Sequence, residues 1–112
     1  MTGTEIITTV RNITNDTVTY NPADAELLTY LILGMRLVRS LRADSLRDTN
    51  GDDSDETEPT ALSDTLDMDK RFQGSLTDYV VMRVFQKQGA DKKALDRAKE
   101  HRQSFFDMIK VV

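Results

Sequence analysis

The sequence predicts an all-α protein, a small bundle of four main helices with a long acidic loop between the second and third. Three observations point there. Apolar residues recur three and four positions apart through four separate segments, the spacing of one helix face. Pro, Gly, Asn and Asp fall between those segments, where helices start and stop. No stretch alternates apolar with polar residues as a half-buried strand does. At 112 residues the whole chain is expected to form a single domain.

The first helix is expected from about Thr4 to Asn15, with Thr2 or Thr4 as its cap and Ile6, Ile7, Val10 and Ile13 on one side. Its β-branched residues lose rotamer freedom in a helix, so packing must hold it. The second is expected over residues 22–42, with Asn21 as cap and Pro22 in the first turn. Leu27, Leu28, Leu31, Ile32, Met35, Val38 and Leu41 give it a wide apolar face, and Asp24 and Glu26 suit the positive end of its dipole. Residues 48–68 form the acidic loop, expected to be flexible because like charge is high and apolar residues are few. The third helix starts near Asp69 and carries Leu76, Tyr79, Val80 and Val84 at helical spacing. Gly89 breaks it, Asp91 is placed to cap the fourth, and Ala94, Leu95, Ala98, Phe105 and Ile109 make the fourth helix's stripe. The loop therefore divides the helices into two pairs.

Charge is unevenly distributed. The net charge is −4, yet residues 48–69 hold nine acidic residues and no basic one, leaving ten acids against 15 Lys and Arg elsewhere. The chain reads as a mildly basic helical body with one acidic loop. There is no cysteine, which excludes disulfides, thiol nucleophiles and cysteine metal sites. The N-terminal residues have neither a basic start nor an apolar run, so no secretory signal is expected. Residues 27–33, the longest apolar stretch, are interrupted by Thr29 and Tyr30 and fall far short of a membrane span. The sequons at Asn12 and Asn15 are then chance matches.

Candidate chemistry is sparse. Asp48, Asn50 and Asp52 occupy the first, third and fifth places of a calcium-type loop, but Asp53 stands where Gly belongs and Pro59 where the bidentate Glu belongs. His101, the sole histidine, lies between Glu100 and Arg102 and is expected in an exposed or rim position. No catalytic, metal or cofactor constellation emerges, and the chain is expected not to be an enzyme. Arg36, Arg39 and Arg42 step round the second helix as a basic ridge, followed by Arg47. Two roles fit that ridge: internal pairing with the acidic loop, or a contact with an acidic partner or DNA phosphate. A helix-turn-helix regulator, with Lys92, Lys93, Arg97 and Lys99 on its second helix, is the alternative reading of the closing hairpin; Asp91, Asp96 and Glu100 beside them oppose phosphate binding. Phe105 and Phe106 are adjacent and cannot both enter one narrow core, so one is expected to face a second surface.

Two segments together resemble the head–tail adaptor (connector or neck) proteins of tailed bacteriophages. In the first, Asp24, Ala25, Glu26, Leu27, Leu28, Tyr30, Leu31, Gly34, Arg36, Val38, Leu41 and Arg42 match the family's pattern. In the second, Asp78, Tyr79, Val80, Arg83, Lys87, Ala94, Arg97, Ala98, His101 and Phe105 match its closing hairpin. The sequence departs where Ala43 replaces the family's Pro and where Leu95 or Asp96 replaces its Asn. The resemblance implies a non-enzymatic virion structural protein of the neck, made in the host cytoplasm. It implies a homo-oligomeric ring, typically a dodecamer, between the portal protein and a tail nozzle or tail-completion protein. DNA would be passing cargo, no membrane is involved, and no cofactor or metal is needed. Arg36, Arg39, Arg42, Phe106, Lys110, Val111 and Val112 are the expected partner contacts.

Overall fold

The computed structural model describes residues 1–14, 22–42, 57–88 and 92–111. It is all-α: α1 (Gly3–Thr14), α2 (Asp24–Leu41), a single 3₁₀ turn (Lys70–Phe72), α3 (Gln73–Gln88) and α4 (Lys92–Val111). Among the described residues the sole extended pairing is an isolated bridge between Thr2 and Thr65.

The helix ends show which local signals operate. Thr2 Oγ1 accepts the Glu5 N–H at 3.3 Å, the capping role expected of it. α2 begins later than Pro22 suggested: Ala23 stands at the N-cap, in extended conformation and with no side-chain cap. Its acidic first turn is used instead by Arg11 of α1, which pairs with Asp24. Asn21 and Asp91, the other expected caps, lie outside the described residues. Asp69 accepts the Arg71 N–H at 3.0 Å and starts the 3₁₀ turn that leads into α3.

α3 is the hub. Residues 75–85 are buried at every position except Asp78 and Arg83, and a helix apolar nearly all round has to be surrounded. α1, α2 and α4 accordingly all pack on α3, while α1 and α2 touch each other only lightly. Two helical pairs were expected; in the fold, α3 stands between the two helices of the first pair. The core comprises Ile6, Ile7 and Val10 of α1, Leu27, Leu31, Met35 and Val38 of α2, the α3 residues, and Ala94, Ala98, Phe105 and Ile109 of α4. Leu41, at 45% exposure, and Leu95, at 39%, leave the stripes assigned to them. Each sits at the margin of its helix's apolar arc, where the neighbouring helix does not reach.

The latter part of the acidic loop is a packed strap, not a free segment. Leu66 and Met68 are fully buried, together with Phe72 just beyond. Leu66 N–H donates to Met1 O at 2.9 Å and Thr4 N–H to Leu62 O at 2.8 Å, tying the strap to the start of α1. A Cβ on Gly3 would come within 2.8 Å of Leu62 O, so the strap lies directly against that helix end. Apolar residues at 62, 66 and 68 explain the difference, because a charged segment still docks where it offers side chains to bury. Asp64 turns the strap locally, accepting from Thr60 N–H at 2.8 Å, Ala61 N–H at 3.1 Å and the Thr60 hydroxyl at 3.1 Å. Those three donors hold its carboxyl below the usual range.

Candidate functional site

The basic ridge on α2 is engaged within the chain. Arg36 makes a two-pronged contact with Glu58 of the strap, Nε to Oε1 at 2.6 Å and Nη2 to Oε2 at 3.0 Å. That hydrogen bonding lowers the Glu58 pKa and raises that of Arg36. Arg39 Nη2 donates to Asp67 O at 3.1 Å. Arg42 Nη1 donates to Ile109 O at 2.6 Å, and its guanidinium lies 5.7 Å from the Phe72 ring centre. The three arginines thus strap α2 to the acidic segment and to the last turn of α4. Of the two roles the ridge could have taken, internal pairing is the one the geometry displays.

His101 takes the rim position of the two its charged neighbours suggested, and it is engaged there. Its side chain is 21% exposed, its ring stacks on Phe85 at 5.9 Å, and its Nδ1 lies 2.9 Å from Asp78 Oδ1. Ser104 Oγ donates to the other Asp78 oxygen at 2.7 Å. The three residue types are those of a hydrolase triad, but the connectivity is wrong. Serine and histidine both bond the carboxylate, whereas nucleophile activation needs serine on the imidazole. The cluster is a clamp that fixes α4 against α3 at one rotation and height. Local spacing conceals it, because Asp78 and His101 lie 23 residues apart.

A further set of cations lies along one face of α4. Lys92, Leu95, Lys99, Arg102, Phe106 and Lys110 recur at intervals of three and four and share one stripe. Asp96, Glu100 and Asp107 fall on the next stripe round, and Asp107 accepts from Gln103 at 2.9 Å. Two adjoining hollows run along this stripe. One, of about 390 Å³, is lined by Lys99, Arg102, Gln103, Phe106 and Lys110. The next, of about 260 Å³, is lined by Gln86, Leu95, Ala98, Lys99 and Arg102. A third of about 210 Å³ continues through Gln86 to Tyr30, Arg83 and Lys87. No carboxylate lines any of the three. Among the described residues, Lys99, Arg102 and Lys110 form no ion pair.

The expected partner contacts therefore separate. Phe105 is buried, while Phe106 is half-buried in the trough, edge-on to Phe105 at 5.2 Å and with Arg102 5.6 Å from its ring centre. Lys110 closes one end of the trough, and Val111 is 81% exposed beside it. Val112 lies outside the described residues, as does most of the calcium-like stretch; Pro59, its last position, is buried. Among the described residues no three His, Asp or Glu side chains converge to hold a metal ion, and no helix is long and apolar enough to cross a membrane. From the sequence, Leu95 is assigned to the core stripe, Lys99 is weighed only for DNA binding and Arg102 is given no role, although their helical spacing with Phe106 and Lys110 is legible there. Compared with known protein families, curated proteins and solved structures, the chain matches none.

Proposed function

We propose that the chain is a head–tail adaptor of a tailed bacteriophage, a non-enzymatic ring-forming protein between the portal and the tail. The observation that supports this best is where the residues of the family-like pattern lie. They come from two segments separated by the strap, and they meet. Tyr30 stacks with Arg83 at 5.1 Å, Gly34 seats Tyr79, Asp78 bonds His101 at 2.9 Å, and Tyr79 packs on Phe105 at 5.9 Å. Both segments thus contribute to one core, as a single adaptor body requires. The adaptor role also suits a small all-α body whose own core is modest, since association with neighbours adds to stability. In this reading the portal and a tail-completion protein are the partners and DNA passes through the ring.

The test is to mix the purified protein with the portal ring of the same genome and image the product by electron microscopy. A second ring stacked on the portal is the expected result. A protein that ignores the portal and instead shifts a DNA duplex through Lys92, Lys93 and Arg97, with steep salt dependence, would replace this reading with the regulator.

A further inference from the structure

We propose that the basic trough on α4 docks the acidic segment of a second copy of this chain, residues 48–56. The proposal rests on the self-assembly part of the reading above and supplies a surface for it. Five cations border the trough: Arg83, Lys87, Lys99, Arg102 and Lys110. Residues 48–56 hold five carboxylates, Asp48, Asp52, Asp53, Asp55 and Glu56, and no basic residue. The acids of the strap are already used, Glu58 by Arg36, Asp64 by Thr60 and Ala61, and Asp69 by Arg71. The upstream acids carry charge of the sign that complements the trough.

Length favours a neighbour's segment over the chain's own. Arg42 is held at Ile109, and Thr57 is held by Asp67 through a 3.1 Å hydrogen bond. From Ile109 to Leu95 the trough rises about 21 Å along α4. A chain spans at most ~3.3–3.6 Å per residue, so running out along the trough to Leu95 and back would use most of the length of the residues between these anchors. A second copy approaching from outside has no such limit. Trough and segment are different surfaces, so the contact is head-to-tail, the kind that closes into a ring or runs on as a filament. Arg102 spread over the Phe106 ring holds its charge at the mouth of the hollow, where a carboxylate can reach it.

The test is sedimentation velocity of the full chain, without portal, across a concentration series at low and high salt. Concentration-dependent association that weakens at least tenfold in high salt is expected. Two variants follow, one with Lys99→Ala and Arg102→Ala, the other with Asp52→Asn, Asp53→Asn and Asp55→Asn. Each alone should remain monomeric with an unchanged helical circular dichroism spectrum. Mixed, they should form a one-to-one dimer that grows no further, because each retains one competent surface. Association unaffected by either variant, failure of the mixture to pair, or a wild-type chain monomeric at every concentration would overturn the proposal. So would a cis contact, seen as variants that shift melting without changing mass. A portal-bound ring that the trough variants still build would sink this proposal alone, whereas head-to-tail association without portal binding would sink only the adaptor reading.

Discussion

Gly34→Ala sets helix propensity against packing, and the structure decides the sign. Gly34 lies in the interior of α2, where replacing Gly by Ala in an open helix gains about 1 kcal/mol. Here the new Cβ would sit 2.8 Å from Tyr79 Cδ1 and 3.2 Å from Cγ. Those atoms are the root of the ring, so a turn of the side-chain tip cannot relieve the contact. Tyr79 is 7% exposed and backed by Phe105 at 5.9 Å, which closes the way out. Overpacking of this kind costs about 1–3 kcal/mol. The net expectation is a loss centred near 1 kcal/mol, or ~4–8 °C in melting temperature for a domain of this size. Urea unfolding followed by circular dichroism at 222 nm measures it. Thr29→Ala, on the exposed face of the same helix, is the control and should gain a few tenths of a kcal/mol. In a Tyr79→Ala background, which removes both of those ring atoms, Gly34→Ala should turn neutral or stabilising. A melting temperature that rises in the otherwise unaltered protein would refute the reasoning.

Other substitutions probe the remaining contacts. Ser75 is fully buried, and its hydroxyl has no partner among the described residues, so Ser75→Ala should stabilise by roughly 1 kcal/mol in the same urea assay. Asp78→Ala strands both His101 and Ser104 and should cost about 1–3 kcal/mol, with clear coupling to Ser104→Ala in a double-mutant cycle. Phe105→Ala should cost about 3–5 kcal/mol, close to the whole stability of a small domain. Phe106→Ala should cost far less and show its effect in self-association instead. The lowered pKa values of Asp64 and Glu58 mean that each folded carboxyl binds its proton less tightly than the unfolded one. Their contribution is complete above about pH 4 and is lost as pH falls through the lowered values. A carboxyl NMR titration should show both midpoints below the ordinary range, and Arg36→Ala should restore only that of Glu58.

The sequence by itself determined the elements. Apolar residues at three- and four-residue spacing specify four helices whatever they pack against, because helix geometry is local. Asp69 and Thr2 mark starts for the same reason: a side-chain oxygen reaches an N–H two or three residues ahead. It also signalled that Phe106 would differ from Phe105, since neighbouring positions diverge by a fixed angle round the helix. What it could not determine were properties set between segments. That α3, not α1, is the partner of α2 follows from how completely α3 must be surrounded. That the α2 arginines are engaged follows from a strap that returns beside them, because Arg36 and Glu58 are 22 residues apart. The sequence left those arginines two roles, whereas among the described residues Lys99, Arg102 and Lys110 of α4 form no ion pair. Charge on a helix face is legible locally. Whether it remains unpaired depends on which other segment folds back to meet it, and only the tertiary structure decides that.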